Sequence, residues 1–130
     1  LVPDAVEEML RFGPPSQAMF RQTTRAVRLH GVEIPENQRV MLSIASANRD
    51  ERHYDAPERF RIGRPQQEHV AFGSGIHFCL GAMLARLEAR TLLHALITRT
   101  RRFSLAAEPT LVSNPIVRGP VALPMRLEPL

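Results

Sequence analysis

Cys79 is the only cysteine of the chain, and it lies in the decapeptide Phe72-Gly73-Ser74-Gly75-Ile76-His77-Phe78-Cys79-Leu80-Gly81, directly ahead of a long helical pattern. A thiolate at a helix N-terminus is favoured by the helix dipole and by the unpaired amide N–H groups there. Gly73, Gly75 and Gly81 carry no Cβ, so backbone and a flat ligand can approach the sulfur closely. Other roles for this sulfur are open on the residues alone. A lone cysteine is most often a small buried hydrophobe. A zinc site could draw on His69, His77 and Cys79, but the paired ligand spacings of zinc motifs are missing. A cysteine phosphatase loop of the form His-Cys-x5-Arg does not fit, because His77 stands two residues before Cys79 and Arg86 falls one place too far along. A dinucleotide loop G-x-G-x-x-G fails too, with Phe78 where the third glycine belongs.

The elements that position this loop can be read from periodicity and breakers. Pro3 suits a first helical turn, Val6, Met9 and Leu10 form an apolar stripe, and Gly13-Pro14-Pro15 stops it, so a helix is expected over residues 3 to 12. Short strands follow at Met19 to Thr24, Ala26 to His30, Val32 to Ile34 and Arg39 to Ile44, with turns at Gly31 and at residues 35 to 38, giving hairpins of a small antiparallel sheet. A helical turn is expected over Ile44 to Asn48. From Asp50 to Phe78 there is little periodicity, which in a stretch of this length points to function or disorder. The second helix runs from Leu80 to Thr98. Leu84, Leu87, Leu92, Leu96 and Ile97 give it apolar coverage wide enough for a buried helix, while Arg86, Arg90 and His94 recur on another face. Prolines at 109, 115, 120, 124 and 129 confine the remainder to strands and turns.

Composition limits the setting. With 130 residues the chain can form one domain of ordinary size, and 44% hydrophobic content suits a globular protein. No apolar run approaches the ~20 residues needed to span a bilayer, and no signal-peptide pattern opens the chain, so a cytoplasmic setting is expected. A single cysteine rules out an intrachain disulfide. All 17 basic residues are arginine, against 13 acidic ones, for a net charge of +4. Six Phe and one Tyr leave no aromatic interleaving for nucleic acid, so an acidic protein partner is the better use of the excess charge.

The decapeptide resembles the haem-binding loop of the cytochrome P-450 family, and other segments match that family in order along the chain. Glu8-Met9-Leu10-Arg11 resembles its Glu-x-x-Arg pair on helix K. Taken alone, such an i, i+3 pair is ordinarily a surface salt bridge. The resemblance instead implies a buried pair joined by an arginine from the meander before the cysteine loop, best matched by Arg59 in Pro57-Glu58-Arg59-Phe60, so that Glu8, Arg11 and Arg59 become structural pins. Ala47-Asn48-Arg49-Asp50 and the segment from Leu80 to Glu88 look like bacterial members.

The implied fold is α+β, the C-terminal portion of the cytochrome P-450 fold over residues 1–130, from helix K to the C-terminal β hairpin. The resemblance implies haem b as cofactor with Cys79 as its thiolate ligand. Phe72 would pack beside the sulfur, Gly73, Gly75 and Gly81 would shape the loop, and Arg21 and His77 would hold the haem propionates. Gln17, Ala18 and Met19 would face a lipophilic substrate from one side and Ile116 and Val117 from the hairpin, although core packing explains the last two equally well. The implied reaction is monooxygenation with electrons from an acidic ferredoxin or flavodoxin, and Arg86, Arg90, His94, Arg99, Arg101 and Arg102 are candidates to receive it. Local acids or a haem propionate could equally hold Arg86 or Arg90. The resemblance implies a protein several-fold longer, whose oxygen-activating N-terminal portion is expected to lie outside these residues. The isolated chain is therefore expected to be inactive and to self-associate or bind that portion. The alternative is a non-catalytic haem-binding or interaction remnant.

Overall fold

A computed structural model describes residues 1–65 and 68–130. Helix α1 spans Val2–Phe12, with proline in its first turn and Gly13 at its end. Strands β1 (Ala18–Gln22) and β4 (Arg39–Ser43) pair antiparallel, and β2 (Val27–Leu29) and β3 (Val32–Ile34) form a hairpin between them. The expected hairpins thus resolve into two separate two-stranded sheets, because β1 passes over its sequence neighbour to pair with β4. One turn of helix, α2 (Ile44–Ala47), follows; residues 48–65 and 68–74 are irregular and lead to a 3₁₀ turn at Gly75–His77. Helix α3 covers Ala82–Arg99 and runs directly into β5 (Thr100–Leu105), which pairs with β8 (Met125–Pro129). The short strands β6 (Thr110–Leu111) and β7 (Pro120–Ala122) lie between.

The breadth of apolar coverage on α3 does not bury it. Of its residues only Ala82 is buried, while Leu84, Leu87 and Leu92 are about 60% exposed. A helix apolar on most sides needs neighbours on most sides. Here α1 and the start of β5 flank it, and Val2, Ala5 and Met9 meet Leu93, Ile97 and Phe103 along one seam.

The buried centre of the chain is charged. Arg11, 1% exposed, is among the largest fully buried side chains. Its Nε and Nη2 each donate to a Glu8 carboxylate oxygen at 2.8 Å; Nη1 donates to the carbonyls of Asn48 (2.8 Å) and Pro57 (3.0 Å), and Nη2 also to that of Arg59 (3.3 Å). All five guanidinium N–H groups therefore have an acceptor. Burial alone would raise the Glu8 carboxyl, but hydrogen bonds from Arg11 and the Arg61 amide, with the charges of Arg11 and Arg64, hold it below the usual carboxylate range.

The third charged member is Arg64, not Arg59. Arg59 is exposed and offers only its carbonyl, whereas Arg64 is 2% exposed with Nε 3.4 Å from Glu8 Oε2, an ion-pair distance. The Arg64 guanidinium also donates to the carbonyls of Asp55, Ala56 and Arg59. Position in the Pro-Glu-Arg-Phe segment pointed to Arg59, but the chain turns there so that its carbonyl faces the cluster and the side chain faces water. Arg64→Met is therefore expected to cost about 3–5 kcal/mol by leaving Glu8 and the carbonyl cage undercompensated, and Arg59→Ala less than about 0.5 kcal/mol. Urea unfolding midpoints of the two variants check this, and equal losses would contradict it.

Candidate functional site

The Cys79 loop is closed by its own backbone. The Cys79 N–H donates to the Phe72 carbonyl at 2.9 Å, and bonds from Gly73 to Val70 and from Phe78 to Gly75 brace it on either side. Such a turn needs the left-handed region at Gly73 (φ +72°) and Gly75 (φ +67°), where an L side chain would be strained. Gly81 has a different part: a Cβ there would lie 3.9 Å from Cys79 Sγ, so glycine keeps that side of the sulfur open. Cys79 is exposed, which removes the buried-hydrophobe role. With His77 it lines a cleft of about 330 Å³ whose other walls include Leu10, Pro15, Met19, Ala71, Phe72 and Ala85. Among the described residues no group of His, Cys, Asp or Glu is arranged to hold a metal ion by itself.

A second cluster stands behind this loop and centres on Glu7. Arg86 of α3 grips both Glu7 oxygens, Nε to Oε1 at 2.8 Å and Nη2 to Oε2 at 2.9 Å. Arg90 lies 3.6 Å from Oε1, and His69 Nε2 lies 3.1 Å from Oε2. The Arg86 hydrogen bond drives the Glu7 carboxyl below its usual range against the opposing effect of burial. The Arg86 guanidinium also lies 4.6 Å from the centre of the Phe72 ring, within cation–π range. Arg86 is thus an internal link between α1, α3 and the cysteine loop; the acid that holds it is Glu7 of α1, and it is not part of an open basic surface.

A family model described as Cytochrome P450 matches residues 1–127. The chain belongs to the cytochrome P-450 family. Among its relatives, cytochrome P450 monooxygenase PikC of Streptomyces venezuelae is 44% identical over 130 residues, 97% of this chain and 31% of that protein. The steroid C26-monooxygenase of Mycolicibacterium smegmatis is 40% identical over 131 residues, 99% of this chain and 33% of that protein. The solved structure of cytochrome P450 CYP109Q5 from Chondromyces apiculatus matches with a TM-score of 0.92 at 42% identity, over 99% of this chain and 34% of the other. The chain spans about a third of the length of these relatives.

Within this P-450 portion the expected site residues divide. Phe72, His77, Cys79 and Met19 line one cleft. Arg21 is exposed, with Nη1 donating to the Phe20 carbonyl at 2.9 Å, and it shares a face of β1 with Met19 because side chains alternate along a strand. Gln17 and Ile116 come together through the Gln17 N–H and the Ile116 carbonyl at 2.7 Å, next to a bridge between Ser16 and Val117. The two segments expected to face substrate are therefore neighbours. Ala18 is the exception: it is buried and serves the core instead. Gln17 lines a different, polar cleft with Arg49, Glu58 and Arg118. Glu7, Arg64 and the structural part of His69 went unread in the sequence, since their partners lie up to 79 residues away.

The surroundings of His69 favour its neutral form. Burial pushes its imidazole below the ordinary 6.5, outweighing the upward pull of Glu7. The hydrogen bonds agree, since Nδ1 accepts from the Ala71 N–H at 3.2 Å and leaves the ring proton on Nε2, facing Glu7. Below 6.5 the unfolded chain binds a proton that the folded chain refuses, so stability declines as pH falls from that value. Glu7 and Glu8, both held under 4.5, add a second loss as pH falls through their folded values. The unfolding midpoint is expected to fall in two stages on acidification, with His69→Gln lacking the upper stage and Glu7→Gln weakening the lower. A midpoint flat between about pH 7.5 and 5.5 would contradict the neutral histidine.

Proposed function

We propose that this chain is the haem-thiolate portion of a cytochrome P-450 monooxygenase and that Cys79 is the proximal iron ligand. The observation that carries the proposal is an exposed sulfur at the edge of a largely apolar cleft, in a loop bent by glycines ahead of α3. The residues present fit a haem: Gly81 leaves room beside the sulfur, and the cleft walls are mainly carbon. Arg21 and His77 are the side chains that would receive the two propionates, arginine through its planar donor fork. When bound, haem b would supply the chemistry that inserts one atom of O₂ into a lipophilic substrate and releases the other as water, using two electrons from a donor and two protons from solvent.

The protein's own contribution is to hold and orient. Phe72 fixes the Cys79 amide through its carbonyl, so the loop backbone that carries the sulfur is held in place. Met19 on β1 lines the same cleft as the sulfur. Names of relatives support the oxygenase reading, and one neighbour was solved with testosterone, which fits a lipophilic substrate class. The apolar residues left exposed along α3 support contact with a further portion of the protein or a second copy.

The test of the ligand is the spectrum of the reduced, carbon monoxide-bound, haem-loaded protein. Cys79→Ser is expected to abolish the thiolate-type Soret band, and an unchanged band refutes the assignment. For the electron donor, an acidic ferredoxin or flavodoxin, the exposed Arg99 at the end of α3 and the exposed Arg101 and Arg102 on β5 are the proposed contacts. Arg101→Glu with Arg102→Glu is expected to slow reduction at low ionic strength, where steering is strong, and to leave substrate-induced spectral changes intact. Reduction at the parental rate at low salt would remove these arginines from docking.

A further inference from the structure

Phe72 touches the sulfur's surroundings in two ways. Its carbonyl accepts the Cys79 N–H at 2.9 Å, and its ring shares the cleft wall with Cys79. Three groups bear on that ring. The Arg86 guanidinium lies 4.6 Å from its centre, the His69 imidazole 6.1 Å, and the Phe78 ring 6.4 Å in an edge-on arrangement. Arg86 and His69 share one partner, Glu7, which binds the first through both oxygens and the second through Oε2. A carboxylate on α1 thereby fixes two of the three groups that pack on Phe72. The His69 side chain is 2% exposed and that of Glu7 16%, so water competes little for these contacts.

We propose that Glu7 and Arg86 are positioning residues that lock Phe72, and through it the direction of the Cys79 sulfur, before any ligand binds. The proposal rests on Cys79 being the iron ligand for its functional meaning, but the lock itself is a property of the polypeptide. Preorganisation of this kind lowers the ordering cost a ligand must meet. Two observations separate it from a simple helix-to-helix salt bridge. The arginine that takes both Glu7 oxygens is the one stacked on Phe72, and Arg90, one turn further along α3, reaches Glu7 only at 3.6 Å. Breaking the Glu7–Arg86 pair should loosen the loop, whereas removing Arg90 should not.

The measurement is hydrogen exchange by mass spectrometry on the haem-free 130-residue chain, followed in the peptide that contains the loop amides of Gly73, Phe78 and Cys79. Glu7→Gln and Arg86→Met are each expected to speed exchange there by about fivefold or more, the scale of a partly shielded ion pair. The β1–β4 ladder serves as internal reference and should change little, as should the loop in Arg90→Gln. Glu7→Asp, which keeps the charge but withdraws it by one methylene, is the second variant should Glu7→Gln fold poorly, and it is expected to loosen the loop as well. Exchange that rises equally in loop and ladder shows a merely structural pair and overturns the proposal, and so does an unchanged loop. No haem is needed for this readout, so its failure is distinct from a failure of the Cys79→Ser spectrum. In the haem-loaded protein the same Glu7 and Arg86 variants are expected to broaden and shift the thiolate-type Soret band with Arg90→Gln unchanged, and no difference between the two sets overturns the link to the sulfur.

Discussion

Everything in this chain hangs on one buried guanidinium. Arg11 carries a charge that cannot be removed by pH, and it sits where water cannot solvate it. It is tolerated only because a carboxylate and three backbone carbonyls surround it. Those carbonyls belong to Asn48, Pro57 and Arg59, so satisfying one side chain ties the start of the irregular stretch to its middle. The irregular stretch before the cysteine loop is held by charge and carbonyls where a regular element would be held by its own ladder. Asn48 extends the same logic, since its side-chain oxygen accepts the Val70 N–H at 2.8 Å and ties the far end of that stretch back to the helical turn α2.

Helix α1 organises two regions at once. Glu8 faces the cluster around Arg11 and Arg64, and Glu7, one residue earlier, faces α3 and the loop. The two carboxylates are consecutive, so they point about 100° apart around the helix. Each meets arginines, but in different settings: Glu8 works in a dry interior among carbonyls, and Glu7 at a partly open seam with an aromatic ring beyond it.

The local features of the sequence carried a long way. Breakers and stripes located α1 and α3 to within a residue or two, because proline, glycine and helical periodicity act on neighbouring positions. The glycine-framed cysteine loop was legible for the same reason, since positive φ at Gly73 and Gly75 is a demand that residue type answers directly. Long-range pairing was not. Nothing local to Arg64 distinguishes it from Arg59, and which of them turns inward depends on where the chain bends between Asp55 and Arg64. Nothing local to Glu7 announces Arg86 either. Apolar breadth on α3 reports what the helix can bury, while its exposure in this chain reflects which neighbours surround it.

The adjacency of Glu7 and Glu8 makes α1 a timing element. Substitution at an exposed position such as Pro3 leaves the angular phase of the two carboxylates intact. Inserting or deleting one residue within the helix, between Glu8 and Arg11, would rotate everything on one side of the change by about 100° relative to the other and separate Glu8 from Arg11. Among descendants of this chain, the helix should therefore drift in composition while its length stays constant.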